Sequence, residues 1–453
     1  MKNKDFRIDS QFYTQEPKKN KLLIYDKIGN IIEKAQYGVS IAMNEDNVGY
    51  PIYRMNEIHS MMCDLEVSKS AEITNSELET FRLNNRDVLF NRTNSFEWVG
   101  RTGLYKKYDD RNFVFASYLV RFIPNQKIIL PEYLTAFLNS KQGIWDVKRR
   151  ARQSINQTNV NPEEVKNIDI PILSLLIQNK IKDCFDKAYD NILISTKEYS
   201  LAEKLVLNEL GLLEFNPSIE PVNVKSFKES FGVTGRLDSE YYQKRYEDYS
   251  KLVRSYSHGF ARLDVVCDLK LKNFIPDNET LYKYIELSNI GKTGDISGCT
   301  NELGKDLPTR ARRMVFENDV IISSIEGSLQ SCALITKEYD KALCSTGFYV
   351  VQSDKINSET LLVLFKSELM QNILKQNCSG TILTGINKDE ISGILIPMIA
   401  NDVQIKVTEL LKRSFKLKKQ SEHLLEIAKR SVEIAIEQNE AEALEFIEQN
   451  VAL

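Results

Sequence analysis

The chain has 453 residues, a length that suits two domains of ordinary size plus extra helix better than one core. Hydrophobic residues make up 42% and charged residues 27%, and no apolar run reaches the roughly 18 residues that span a bilayer, so a membrane protein is excluded and a cytoplasmic one expected. The formal charge of −3 excludes a uniformly basic surface, and seven cysteines without a CxxC pair and three histidines without metal-ligand spacing indicate neither a disulfide framework nor a metal site.

The amino terminus, MKNKDFRIDS, begins basic but has no apolar stretch behind it, so no leader is expected. Short β-rich runs follow, DVLF at 87–90 and FVFASYLVRF at 113–122, separated by polar turns, and a helical stretch EYLTAFLNS follows Pro131. From Arg101 to Arg152 eleven Lys or Arg face four Asp or Glu, ending in Lys148, Arg149, Arg150 and Arg152. The stretch RRARQSINQTN is too polar for a core and suits DNA contact. Lys148 and Arg150 suit phosphate anchoring; Arg92, Arg149 and Arg152 have the fork that donates two hydrogen bonds to guanine; Asn94, Gln153, Asn156 and Gln157 have amides that pair with adenine. The competing reading for each arginine is a surface salt bridge. At Ile168-x-Ile170-Pro171 a strand ends, because proline cannot continue a central ladder.

Beyond that proline the pattern changes to a heptad, Ile181, Phe185, Ala188, Ile192, Ser195, Tyr199, Ala202 and Val206, which predicts a helix of about 36 residues and about 50 Å. The second half then repeats the first. RIDSQFY at 7–13 returns as RLDSEYY at 236–242, RDVLFNRTNS at 86–95 faces NDVIISSIEG at 318–327, and AFLNS at 136–140 faces LFKS at 364–367. NPEEVKNIDIPILSLLIQNKI at 161–181 returns as NKDEISGILIPMIANDVQIKV at 387–407 with seven of twenty-one positions identical, including Pro171/Pro397 and Gln178/Gln404. A second heptad follows, Val403, Val407, Leu410, Ser414, Leu417, Ser421, Leu424 and Ala428, and its small residues permit close backbone approach. From Glu433 to Glu448 there are six Glu and no base, read as a solvated face.

The expected fold class is therefore mixed α/β, with two domains in tandem repeat separated by two long antiparallel coiled-coil helices. The divisions are 1–172, a central helix at 173–213, a linker at 214–230, a second domain at 231–398 and a C-terminal helix at 399–450. In the second domain the candidate DNA contacts are Arg310, Arg312 and Arg313, with Thr381, Thr384 and Asn387 in a loop whose glycines permit backbone approach to phosphate or simply form turns. Catalytic motifs are missing. There is no Asn-Pro-Pro-Tyr or Asp-Pro-Pro-Tyr segment, and the phosphate-loop ending Gly291-Lys292-Thr293 has Glu286 where the earlier glycine belongs.

LNNRDVLFNRTNSFEWVG, the later SINQTNVNPEEVKNIDIPI, a glutamine a few residues into the helix, and the repetition of the whole unit resemble the specificity subunit of type I restriction-modification systems. The resemblance implies two target-recognition domains that read the halves of a split DNA sequence. It also implies two methyltransferase subunits as partners, holding S-adenosylmethionine that this chain does not bind, and restriction subunits that join them. The second copy departs from the pattern: Ser323, Ser324, Glu326 and Gly327 stand where the first has Asn91, Arg92, Asn94 and Ser95, so no contact carries over from one domain to the other. Two other readings stay open at this point. One is a targeting subunit of another methyltransferase or defence assembly; the other is a coiled-coil scaffold that binds protein and not DNA.

Overall fold

The computed structural model describes residues 10–14, 16–155, 157–380 and 384–451. Two compact units divide the chain, one formed by residues 1–192 with 418–453, the other by residues 193–417. Each holds a mixed α/β body and a part of both long helices, Leu175–Glu209 and Asn401–Glu437. No described helix is long and apolar enough to cross a membrane, and among the described residues no group of three or more His, Cys, Asp or Glu is placed to hold a metal ion.

In the first unit the strand Tyr25–Lys27 pairs antiparallel with Asp169–Pro171, so the chain enters and leaves the body side by side. Pro171 has no N–H for a further ladder bond, and the long helix begins shortly after it. A six-stranded sheet lies between, in the order Ile32–Tyr37, Leu119–Pro124, Val88–Asn91, Thr102–Leu104, Met62–Cys63, Ile58–His59. Val88, Leu89 and Phe90 are all fully buried, so this strand is covered on both faces, and its apolar run is unbroken for that reason. The helix Pro131–Asn139 packs on the sheet and passes directly into Lys141–Arg150. Ser140 makes the join: its Oγ donates to the Phe137 carbonyl (2.7 Å) and accepts from the Gly143 N–H (3.2 Å). Gly143 is required, since a Cβ there would lie 2.0 Å from the Phe137 oxygen.

The second unit repeats this plan with a smaller sheet. Phe260–Arg262 pairs with Leu395–Pro397, and the sheet runs Asp268–Leu269, Phe348–Gln352, Val320–Ser323, Cys332–Leu334. A further four-stranded sheet, in the order Thr300–Leu303, Leu281–Ile285, Leu343–Ser345, Ala311–Met314, flanks it in sequence. The helices Ser358–Lys366 and Glu368–Gln376 meet at Ser367, whose Oγ donates to the Leu364 carbonyl (2.6 Å) as Ser140 does in the first unit. Leu361, Leu362, Val363, Leu364 and Phe365 are all fully buried, at about 1.5–3 kcal/mol of transfer free energy each.

Single hydrogen bonds repeat as well. Gln178 accepts from the Leu130 N–H (2.7 Å) and donates to the Ile128 and Leu173 carbonyls (3.1 and 2.9 Å). Gln404 accepts from the Asn357 N–H (2.8 Å) and donates to the Lys355 and Ile399 carbonyls (3.2 and 2.9 Å). Each glutamine thus ties the first turns of a long helix to the loop that starts the helix pair of its own body. This accounts for an identity that the sequence displays without explaining.

The long helices pair antiparallel through the expected small residues. In the second unit Ser195 Oγ donates to the Ser414 carbonyl and Ser414 Oγ to the Ser195 carbonyl, both at 2.8 Å. In the first, Ser421 Oγ donates to the Ala188 carbonyl at 2.7 Å. A side chain reaches across to the opposite backbone only where the helices run close. The buried residue on the seam next to Val407 is Leu411, not the expected Leu410, which is partly exposed.

The C-terminal helix expected over 399–450 is two helices. Asn401–Glu437 stops, and Asn439, accepting from the Glu442 N–H at 3.0 Å, starts Glu440–Val451. The acidic tail is also more than a solvated face. Glu433 accepts from the Lys141 N–H (2.9 Å) and Glu440 from the Ser174 N–H (2.9 Å), each at the start of a helix, where a carboxylate meets unpaired backbone donors.

Candidate nucleic-acid interface

In the first unit three short strands, Arg152–Gln153, Thr158–Asn159 and Thr93–Asn94, form a small separate sheet. Its register sets Arg152 opposite Asn159 and Gln153 opposite Thr158, and Thr158 opposite Asn94 in turn. Backbone bonds anchor it to the large sheet: the Val160 N–H donates to the Arg92 carbonyl at 2.9 Å, and the Arg92 N–H to the Tyr118 carbonyl at 3.0 Å. Thr93 Oγ1 donates to Asn159 Oδ1 at 2.6 Å. The turn is closed by Ser154, whose N–H donates to the Gln157 carbonyl at 2.9 Å.

Arg152, Gln153 and Gln157 are exposed on this sheet and its turn, and Asn94 is half-buried. Asn156 lies outside the described residues. Arg92 sits below, its guanidinium over the Tyr37 ring (5.1 Å), with a weak bond to the Ser117 carbonyl (3.4 Å). The sheet and its turn therefore bring a guanidinium and three amides from two distant stretches of sequence close together.

The rest of the basic cluster is placed differently, and three expected contacts need correction. Arg150 is buried: it pairs with Asp146 and Glu164, both at 3.1 Å, and donates to the Asn167 carbonyl. Arg149 pairs with the same Asp146 and donates to the Phe12 carbonyl at 2.7 Å. Lys148 donates to the Phe96 and Glu97 carbonyls and lies over the Phe96 ring; burial pulls its pKa below the ordinary amine value. The helix Lys141–Arg150 turns these side chains toward partners far away in sequence, so their charge fixes the protein's own structure. Of the four, Arg152 alone has an exposed side chain and no ion pair among the described residues.

Residues that sequence reading passed over surround the sheet. Phe96 and Trp98 are 47% and 41% exposed, and Arg101 stacks on Trp98 at 3.4 Å, its pKa drawn down by burial. Trp145 is 51% exposed. Large aromatics in the polar run NSFEWVG were the available signal.

The second unit has the same patch in reduced form. Ile325 bridges Gly385, and Gly385 bridges Ser379. The Ile386 N–H donates to the Ser324 carbonyl at 2.8 Å, the counterpart of Val160 on Arg92. Gly385 is needed for this approach, because a Cβ would lie 2.6 Å from the Ser324 oxygen. Thr384 accepts from the Glu326 N–H through its carbonyl (3.1 Å), while Asn387 caps the helix Lys388–Gly393, accepting from the Glu390 N–H at 3.0 Å. Thr381 lies outside the described residues. Arg310 is exposed and reaches the patch through Thr346, whose N–H donates to its carbonyl at 2.8 Å; Gly347 next to it accepts from Ser324. Arg312 is exposed but donates to the Thr309 carbonyl (2.8 Å), and Arg313 is partly buried and donates to the Leu271 carbonyl. Arg313 thus has a structural partner in place of the expected DNA contact.

Residues 26–204 match the family described as the type I restriction modification DNA specificity domain. The chain is 26% identical over 211 residues to the putative type I restriction enzyme MjaX specificity subunit of Methanocaldococcus jannaschii, across 45% of this chain and 47% of that one. It is 30% identical over 139 residues to the type I restriction enzyme EcoKI specificity subunit of Escherichia coli K12, across 30% of each. The chain spans about half the length of the first of these curated relatives and 30% of the second. Among solved structures, the S subunit of the type I restriction-modification system from M. genitalium overlies 92% of this chain and 96% of its own, with 11% identity and a TM-score of 0.43. The HsdS subunit from Thermoanaerobacter tengcongensis covers 93% and 98%, with 11% identity and a TM-score of 0.31. Over residues 26–204 the chain is thus similar to the type I restriction modification DNA specificity domain, and in its sequence it is similar to the specificity subunits of type I restriction enzymes.

Proposed function

We propose that the chain is the DNA-binding specificity subunit of a type I restriction-modification complex, which reads a bipartite sequence and directs adenine methylation or cleavage by partner subunits without catalysis of its own. One observation supports this reading: a patch of three paired segments, short strands in the first unit and single bridges in the second, is anchored in each by an equivalent backbone hydrogen bond and carries unlike side chains. A catalytic site present twice would keep its reacting groups. A reader of two different elements keeps the scaffold and changes the side chains.

On this reading residues 1–172 and 231–398 are target-recognition domains, 173–213 and 399–450 spacers, and 214–230 a linker. Arg152, Gln153, Asn94 and Gln157, with Asn156, read base edges in the first half-site. Arg310, Thr384 and Asn387, with Thr381 and Arg312, meet DNA in the second. Lys148, Arg149 and Arg150 hold the first patch in place. The partners are double-stranded DNA, two methyltransferase subunits that hold S-adenosylmethionine, and restriction subunits, all in the cytoplasm. A net charge of −3 fits a chain whose partners supply most of the phosphate neutralisation.

The test is to co-express the chain with its adjacent methyltransferase, map methylated adenines by sequencing, and then exchange residues 1–170 for those of a relative. The expected result is a split motif of which one half changes and the other stays. Absence of any defined methylated motif, or a change in both halves, would sink the proposal.

A further inference from the structure

Within the first unit an open cleft runs from the small sheet to the second long helix. It is lined by Phe96, Ile144 and Trp145, by Arg152 and Gln153 of the small sheet, and by Lys429 and Arg430 of the long helix. Three large apolar side chains here are exposed, at 47%, 42% and 51% for Phe96, Ile144 and Trp145. Six Lys or Arg line the cleft with two carboxylates, Glu426 and Glu433; Lys429 pairs with Glu426 (2.6 Å), Lys141 and Arg430 with Glu433, and Arg149 with Asp146, which leaves Arg152 and Lys148 without an ion pair among the described residues. Glu433 is itself occupied by the Lys141 N–H and by Arg430 (2.7 Å). Lys148 is held by the carbonyls of Phe96 and Glu97, which leave its charge intact.

We infer that this cleft grips the DNA strand adjoining the first half-site, through phosphates on Arg152 and Lys429 and deoxyribose on Phe96 and Trp145. The inference rests on DNA reading by the first unit and adds a contact that carries no sequence information. Two features select nucleic acid over a protein occupant. Protein interfaces are depleted of lysine at their centres, whereas this cleft is rich in it. The cleft is also continuous with the exposed strand Arg152–Gln153, so a strand read there continues into it. Flat apolar side chains between cations match a polymer of sugars and phosphates.

Trp98 and Trp145 are the only tryptophans of the chain, which makes the cleft directly observable. The full chain carrying Trp98→Phe, with 5-hydroxytryptophan in place of its remaining tryptophan, is assembled with unlabelled methyltransferase and excited apart from the partner's tryptophans. Duplex DNA bearing the mapped motif is expected to change the emission of the label at position 145, and methyltransferase alone is not. Lys429→Ala is expected to weaken binding about fivefold and to flatten the salt dependence by about one ion. It is further expected to remove backbone protection beside the first half-site and leave the methylated motif unaltered. Emission that responds to methyltransferase without DNA, or stays silent when DNA binds, overturns the inference: the first result makes the cleft a protein dock. A complex with no defined motif removes the DNA reading and the inference together, whereas a defined motif with a silent label removes the inference alone.

Discussion

Arg150 is 6% exposed and its guanidinium is divided among Asp146, Glu164 and the Asn167 carbonyl, whereas Arg152 stands exposed on a strand with no such partner. The two substitutions should therefore separate cleanly. Arg150→Ala strands the buried carboxylate of Glu164 while Arg149 still serves Asp146, so the expected loss is about 3 kcal/mol, read from denaturant midpoints. Arg152→Ala should leave stability within about 0.5 kcal/mol and weaken motif binding by roughly tenfold, read by duplex titration of the assembled complex. The reverse pattern would exchange the roles assigned to them. Composition identified the basic cluster but not this division of roles. Which arginine is withdrawn depends on Glu164 and Phe12, placed against the helix only by the tertiary fold.

At the scale of elements, the helix pair is held by small residues that bring backbones together. Ser414 is fully buried, and its hydroxyl is satisfied by the opposite helix. Ser414→Ala should cost about 1 kcal/mol for the lost hydrogen bonds, and Ser414→Leu about 3 kcal/mol because the helices must part; thermal unfolding of the two variants measures the difference. Equal effects would mean that the hydroxyl, and not the spacing, matters there. The heptad was legible in the sequence because an apolar stripe is a local, periodic signal. The strands Arg152–Gln153 and Thr158–Asn159 were not, being two residues long and stabilised by pairing with Thr93–Asn94, far away in the chain. The break after Glu437 was hidden as well, since apolar residues continue past it and only the cap at Asn439 marks the new start.

For the whole molecule, the tandem arrangement and both long helices were readable from the repeat, and the structure adds which atoms are repeated: Gln178 and Gln404 make the same three hydrogen bonds in their own units. Helices of 35 and 37 residues are each about 50 Å long. If the helices act as the spacer of the proposed function, that length corresponds to an upper bound of roughly 15 base pairs between the two elements of the methylated motif. On the proposed function, removing two turns from both helices together should shorten the unread gap of the methylated motif, as mapped by sequencing. A gap of the same length in the shortened protein would mean that the helices do not set the spacing.

The second unit is continuous in the chain, residues 193–417, whereas the first is completed only by residues 418–453. During synthesis the second unit thus has its whole sequence available before the first has received its closing segment. The carboxylates of Glu433 and Glu440, which cap helix starts at Lys141 and near Ser174, belong to that closing segment. A ribosome that stalls just before residue 418 therefore releases a chain with the whole sequence of one unit and an unfinished other.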